Sequence, residues 1–304
     1  MERLTGCRPR NRRGDLPLRK HVHKLPRGDM TSQSEISRDL GVAPQFDAAS
    51  EAMRRRTFLQ TYLERSGLKA LVLGISGGID STTAGKLAQE AVTELRKQGS
   101  DARFVAVRLP YGHQADAADA DAALAAIGPD ETFEVDIAAA TDGMWQAIEA
   151  AGFSAASPAQ SDFLRGNVKA RQRMIAQYAL AGGFNGLVLG TDHAAEAVMG
   201  FFTKFGDGAA DLLPLGGLTK RRVRALAAHL GIPDRLVNKV PTADLEDLAP
   251  LRPDEDAYGV TYEQIDDFLE GKPVPPEVAA IIVARYEATA HKRALPISAA
   301  SIHA

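Results

Sequence analysis

The sequence predicts an α/β protein, a doubly wound parallel sheet with helices on both faces, in a single domain. Three observations carry that expectation. Short apolar runs of strand length alternate with longer stretches of helical periodicity, the pattern of parallel strands joined by crossover helices. The strand runs Leu71 to Ile75, Phe104 to Leu109 and Leu187 to Gly190 are nearly continuously apolar, as strands covered on both faces require. The 304 residues, 45% of them apolar, suffice for one large core, and neither an internal repeat nor an interdomain linker divides them.

In order along the chain, Ala48 to Ser66 reads as a helix with Phe58, Leu59, Tyr62 and Leu63 on one side. The strand Leu71 to Ile75 enters a glycine turn, and a helix follows from Ser81 to about Gln98, closed by Gly99. Phe104 to Leu109 is the second strand, stopped by Pro110. Asp116 to Ile127 is an Ala-rich helix, Thr132 to Ile137 a third strand and Thr141 to Ala151 another helix. A polar connection through Pro158 leads to a long helix from about Gly166 to Ala181. The fourth strand, Leu187 to Gly190, precedes a helix from Ala194 to Phe202 and a glycine-rich loop from Gly206 to Gly217. Thr219 is placed to cap a basic helix ending near Leu230. Pro241 to Gly259 holds six Asp or Glu and three Pro and reads as a mobile acidic loop. Helices at Tyr262 to Leu269 and Pro276 to His291 complete the pattern.

Composition narrows the function. A net charge of −3 offers no electrostatic case for nucleic acid. No apolar run approaches the roughly 18 residues that span a bilayer. Cys7 is the only cysteine, which excludes an intramolecular disulfide and a multi-cysteine metal site. These features fit a soluble, cytoplasmic protein. Met1 to Asp29 stands apart, with nine Lys or Arg, three acidic residues and no apolar periodicity. It reads as a disordered basic arm without a catalytic role, a transit segment, or upstream sequence ahead of a start at Met30, with residues 30–304 forming the domain.

The strongest local feature is Gly74-Ile-Ser-Gly-Gly-Ile-Asp-Ser81, set between a strand and a helix. Adjacent glycines let the backbone turn tightly and bring N–H groups up to an anion. Ser76 and Ser81 add hydroxyls, and the following helix aims its positive end at the same place. Asp80 is out of place in a phosphate cradle unless a cation stands between, and a hard oxygen ligand beside phosphate suggests Mg²⁺. In Leu189-Gly-Thr-Asp-His-Ala-Ala-Glu-Ala197, Thr191, Asp192 and Glu196 fall near a strand's carboxyl end. Glu196 suits a second oxygen ligand, whereas one His with no other nitrogen ligand argues against zinc. Lys169, Arg171 and Arg173 read either as a solvated helix face or as site residues. Phe201, Phe202 and Phe205 around Lys204, followed by Asp207 and Asp211, read either as core or as a seat for a cationic ring and ribose hydroxyls.

The loop lacks the Gly-Lys-Ser/Thr ending of a Walker A motif and resembles the Ser-Gly-Gly-x-Asp-Ser loop of the ATP pyrophosphatases. With Gly166-Asn-Val-Lys-Ala-Arg171, Leu189 to Val198, Phe201-Phe-Thr-Lys-Phe-Gly-Asp-Gly208, Ala210 to Leu215, Pro241-Thr-Ala-Asp-Leu245 and the closing His291-Lys292, the chain from about Ile36 to Pro296 resembles the ammonia-dependent NAD synthetases. That resemblance implies ATP-dependent amidation of deamido-NAD through an adenylated carboxylate, with release of AMP and diphosphate. It further implies that Gly74, Ile75, Ser76, Gly77, Gly78, Ile79, Asp80 and Ser81 hold the ATP phosphates and that Asp80 and Glu196 bind Mg²⁺. Thr191, Lys220 and Thr242 would contact ATP; Arg171, Lys204, Asp211, His291 and Lys292 would contact deamido-NAD. Asp207 would handle the proton of ammonia, Lys220 would offset charge at the reacting phosphate, and the dinucleotide would sit at a homodimer interface.

Departures from the family pattern are small: Ile79 stands where Gln is frequent and Gly216 where Thr is common. Competing members of the superfamily make GMP, asparagine or argininosuccinate, or thiolate tRNA. A catalytic cysteine for glutamine hydrolysis or thiolation is missing, which points to free ammonia or a separate partner as nitrogen source. A non-enzymatic nucleotide-binding module would share the fold but not need Asp80, Glu196, Lys220 and Thr242.

Overall fold

The structure, a computed structural model, describes residues 32–112, 117–243, 245–248 and 252–298. The basic stretch Met1 to Asp29 lies outside the described residues. In chain order come α1 (Gln33–Asp39), α2 (Ala48–Ser66), β1 (Ala70–Gly74), α3 (Ile79–Lys97), β2 (Arg103–Arg108), α4 (Ala117–Ile127) and β3 (Glu131–Glu134). Then follow α5 (Ala138–Ala150), α6 (Pro158–Gly183), β4 (Gly186–Val188), α7 (Ala194–Met199), α8 (Lys220–His229) and α9 (Asp234–Val237). A short pair, β5 (Thr242–Ala243) and β6 (Arg252–Pro253), leads to α10 (Asp254–Tyr258), α11 (Tyr262–Leu269), α12 (Pro276–Ala288) and α13 (Ala290–Arg293).

The main sheet is parallel, in the order β3-β2-β1-β4. Its strands are apolar at successive positions because each face meets its own helical layer. Leu71, Leu73, Phe104 and Ala106 face α2, α3 and α8, while Ala70, Val72, Val105, Val107 and Val188 face Ala181 of α6. Each fully buried Leu or Phe contributes on the order of 1.5–3 kcal/mol. A third cluster, including Ile36, Val198, Phe268 and Ile282, joins α1, α7, α11 and α12. The doubly wound, single-domain expectation holds.

The topology also fixes where a ligand sits. From β1 the chain winds outward through β2 and β3, then returns to lay β4 on β1's other side. The strand order reverses between β1 and β4, and the loops leaving their carboxyl ends diverge to leave a crevice. A further parallel bridge, Leu189 to Leu212, carries the edge past β4 and brings the glycine-rich loop to that crevice.

Several boundaries differ from the sequence reading, each for a local reason. The long helix α6 begins at Pro158, not Gly166, because Ser157 accepts from Gln160 N at 3.1 Å and Pro158 occupies the first helical position. β3 ends at Glu134 rather than Ile137 and is only half-buried, as an edge strand. Helix α7 stops at Met199, where Gly200 turns left-handed (φ 62°), instead of reaching Phe202. The final helix divides at Thr289 into α12 and α13. The acidic stretch Pro241 to Gly259, read as a loop, carries β5, β6 and α10.

Thr219 does start α8, but its hydroxyl donates to Glu270 Oε1 (3.0 Å) and caps nothing. Asp266 of α11 does that work, accepting from Lys220 N at 2.9 Å and Arg221 N at 2.7 Å. Helix α1 was not expected at all. Ser32 and Glu35 form a reciprocal capping box there. No helix among the described residues is long and apolar enough to cross a membrane.

Candidate active site

A cavity of about 450 Å³ opens at the carboxyl ends of β1 and β4. Its floor is the turn from Gly74 to Ser81. Gly77 adopts φ +84°, and a Cβ there would meet Ala120 N at 2.6 Å, so the turn requires glycine twice over. Gln177 of α6 accepts from Gly74 N at 2.7 Å. The serines expected to donate to an anion instead brace the turn: Ser76 Oγ and Ser81 Oγ lie 3.2 Å apart, and Ser81 Oγ donates to Gly78 O at 3.2 Å. Gly78, the N-cap of α3, supplies no side chain to the helix's first N–H groups, which leaves a helix start with positive potential facing the cavity.

Beside this turn lies a knot of buried charge. Lys220 is fully buried (0% exposed), and its Nζ reaches Asp80 Oδ2 at 2.7 Å and Glu196 Oε1 at 3.8 Å. His193 Nε2 stands 3.3 Å from Glu196 Oε1 and 3.5 Å from Asp80 Oδ1. The Tyr262 ring lies 5.0 Å from the Lys220 ammonium, and its hydroxyl donates to Asp254 Oδ2 at 2.8 Å. Burial works against ionising Asp80, yet the charges of Lys220 and His193 prevail and hold its carboxyl below the usual range. Burial likewise opposes the Lys220 ammonium, and Asp80 and Glu196 raise its proton affinity in spite of it.

Asp80, His193 and Glu196 each place one ligand atom within 4.8 Å of the others. Asp80 Oδ1 is buried without a hydrogen-bond partner. A divalent cation fits that orphaned oxygen, and the two carboxylates suit a hard ion. His193 is the N-cap of α7, its Nδ1 accepting from Glu196 N at 3.4 Å, which turns Nε2 toward the two carboxylates and the Lys220 ammonium, 3.3 Å away.

Asp192 and Asp207 line the same cavity. Burial pushes the Asp192 carboxyl well above its usual range, with the charges of Glu196, Asp207 and Asp80 adding to it. Burial raises the proton affinity of the Asp207 carboxyl, even though Thr203 N donates to its Oδ1 at 2.9 Å.

Of the sequence-predicted residues, Gly74, Ile75, Ser76, Gly78, Ile79, Asp80, Ser81, Thr191, Glu196, Asp207, Thr242 and Lys292 line the cavity. Gly77 underlies it, and Lys220 meets it through Asp80. The Lys292 ammonium donates to Gly200 O and Phe202 O, both at 2.9 Å. Arg171, Lys204 and His291 gather outside the wall: Arg171 Nη2 donates to Lys204 O (3.3 Å), and the Lys204 ammonium donates to His291 O. Asp211 also lies outside it, its Oδ2 accepting from Val188 N at 2.7 Å.

Of the two readings left open for Lys169 the structure favours the site, and other residues escaped the sequence reading. Lys169 is 3% exposed, not solvated, and is bonded to the segment that roofs the cavity. Asp162, Gln177 and Lys239 had no motif to mark them; Lys239 lines the wall with an ion pair to Asp119 at 2.8 Å. Gly166 was the available signal for the α6 face, since a Cβ there would meet Leu245 O at 3.0 Å.

Comparison with known proteins points the same way. A family model described as NAD synthase matches residues 51–296. A relative named NH(3)-dependent NAD(+) synthetase, from Burkholderia pseudomallei, is 64% identical over 261 residues, covering 86% of this chain and 92% of its own. The crystal structure of an NAD+ synthetase from Burkholderia pseudomallei superposes with a TM-score of 0.76 at 60% identity, covering 90% of this chain and 100% of that one. An NMN synthetase from Francisella tularensis superposes with a TM-score of 0.72 at 34% identity, covering 84% and 99%.

The crowding of carboxylates has a measurable consequence. A carboxyl whose proton affinity rises on folding costs stability as pH climbs above its unfolded value near 4, and costs nothing below it. Asp192→Asn is therefore expected to melt higher than wild type at pH 8 without metal or nucleotide, by on the order of 2 °C or more. The gap should close as pH falls toward 4. Thermal melts at both pH values check it; a variant that melts lower at pH 8 would contradict the assignment of Asp192 as a buried, like-charged acid.

Proposed function

This chain belongs to the NAD synthase family, and we propose that it amidates deamido-NAD to NAD with ATP and ammonia, releasing AMP and diphosphate. The observation that supports this reading most directly is the juxtaposition of an anion-binding turn with Asp80, Glu196 and Lys220 at one end of a single cavity. The Burkholderia relative's name gives ammonia as the nitrogen source and NAD as the product. A cytoplasmic location suits this reaction; no helix among the described residues is long and apolar enough to cross a membrane.

Attack of a nicotinate carboxylate on the α-phosphate brings two anions together. Asp80 and Glu196 would hold Mg²⁺, which would supply charge neutralisation at the phosphates. The N–H groups from Gly74 to Ser81, with Thr191 and Thr242 on the facing wall, hold the ATP. Lys220, already committed to Asp80, keeps the carboxylate ligands aimed and lowers the negative potential at the reacting phosphate. The carboxylate oxygen bonds to phosphorus as diphosphate leaves. Ammonia then attacks the acyl carbon, the bond to AMP breaks, and the surplus proton passes to Asp207, whose proton affinity burial raises above that of an ordinary carboxylate.

Deamido-NAD is assigned to Arg171, Lys204, Asp211, His291 and Lys292. Four of these lie at the rim, which supports a dinucleotide site completed by a second subunit. Arg171, Ile175 and Tyr178 follow one another at helical spacing on α6, and Ile175 and Tyr178 are 52% and 36% exposed. An apolar stripe beside an arginine on a 26-residue helix suits an isologous dimer.

Incubation with Mg²⁺-ATP, ammonium and deamido-NAD should yield AMP and NAD in equal amounts. Because one structural neighbour is an NMN synthetase, nicotinate mononucleotide belongs in the same assay, and its turnover should be at least about tenfold lower, a difference of about 1.4 kcal/mol. Asp80→Ala should lower AMP formation about 10²–10³-fold with the circular dichroism unchanged. AMP release no faster with deamido-NAD than without it would sink the reading. Ile175→Glu should convert a dimer to monomers in sedimentation velocity and raise the KM for deamido-NAD more than that for ATP.

A further inference from the structure

The segment 245–248 contributes Leu245 and Glu246 to the wall of the cavity that the phosphate turn also lines. They are fastened to one stripe of α6. Asp162 accepts from two consecutive backbone N–H groups, Asp247 N at 2.9 Å and Leu248 N at 2.8 Å. Lys169, two turns further along, donates to Leu245 O at 3.1 Å and Asp247 Oδ1 at 2.6 Å. Gly166 lies between them and lets the roofing backbone touch the helix. Arg165 stands 3.6 Å from Asp247 Oδ2 and is tied back to Asp142 at 2.6 Å, while the Tyr111 ring lies 4.2 Å from the Lys169 ammonium.

We propose that Asp162 and Lys169 are positioning residues: they clasp residues 245–248 over the reacting groups and so keep water from the acyl adenylate, an inference that rests on the function proposed above. β5 and β6 pair over only two residues each, and an isolated two-stranded pair is marginal in water. The clasp, by contrast, uses charge-assisted bonds from groups that are themselves buried: Asp162 is 9% and Lys169 3% exposed. An adenylate is hydrolysed readily, and AMP then appears without amide. The side chains that fix the roof therefore govern how much ATP each amide costs.

The test uses the full-length wild type with Lys169→Met, and with Asp247→Ala as a variant of a half-exposed residue whose loss leaves the core untouched. Without substrates, hydrogen exchange at the amides of Asp247 and Leu248 should speed up about 10- to 100-fold in both variants, since a hydrogen bond to a charged group contributes about 1.5–3 kcal/mol. With Mg²⁺-ATP, deamido-NAD and limiting ammonium, the ratio of AMP to NAD should stay near one in wild type and rise at least about threefold in the variants, a preference of about 0.65 kcal/mol. Asp247→Asn, which keeps an acceptor for Lys169, should fall between. Unchanged exchange would overturn the clasp. Faster exchange with an unchanged ratio would overturn its role in excluding water. Wild type that makes no AMP from deamido-NAD would overturn the functional reading and the proposal with it, a failure told apart because exchange protection is measured without substrate.

Discussion

A lysine ammonium with no exposed surface must be matched by carboxylates, and in this protein that single requirement ties the site to the fold. Removing an ion from water costs several kcal/mol, and only close, hydrogen-bonded counter-charges offset it. Lys220 finds them in Asp80, at the start of α3, and Glu196, in the first turn of α7, with His193 bridging between the two. Asp266 of α11 then caps the helix that Lys220 begins. Four segments distant in sequence are thereby fixed against one another, and the reacting end of the cavity inherits their rigidity.

The same knot leaves the cavity short of positive charge. Asp80, Asp192, Glu196, Asp207, Glu246 and Asp254 line it, against Arg173, Lys239 and Lys292; Lys239 is paired with Asp119, and the Lys292 ammonium already donates to backbone carbonyls. Burial and mutual repulsion push protons onto Asp192 and Asp207. A site in this condition favours cations. A divalent ion at the orphaned Asp80 oxygen and an ammonium near Asp207 both relieve the repulsion, so the electrostatics that destabilise the empty cavity also select the two positively charged participants of the proposed reaction.

How much of this was legible depended on distance along the chain. The turn from Gly74 to Ser81 could be read because strand, glycines and helix start are contiguous. The pairing of Asp80 with Glu196 could be read as chemistry, since two hard ligands followed two strands of the same sheet. The layer order followed from runs apolar on both faces. Lys220 carries no local mark of burial: it opens a basic helix, and only the resemblance singled it out. Lys169 was harder still, because a cation on a polar helix is ordinarily solvated, and the carbonyl that draws it inward lies 76 residues away. Ser76 and Ser81 show the opposite error. Their hydroxyls looked available to a ligand and are engaged with one another, so the turn is held ready by its own side chains and offers mainly backbone N–H groups and a helix end.

Helix α6 shows why these long-range contacts are not separable. Its inward face presents Gln177 to the first residue of the phosphate turn, Gly166 and Lys169 to the roof, and Arg173 Nε to Leu109 O at 3.1 Å. Its opposite face carries Arg171, Ile175 and Tyr178 outward, about 180° around the helix from Lys169 and Arg173. A rigid helix cannot shift one face without the other. A partner seated on Ile175 and Tyr178 would therefore fix the height of Lys169 and Gln177 at the cavity, and a roof closing on Asp162 and Lys169 would in turn set the position of Arg171 at the rim. The proposed subunit contact, the roof and the phosphate turn share one mechanical element, so assembly and closure of the site would be linked by the stiffness of a single helix and need no longer pathway.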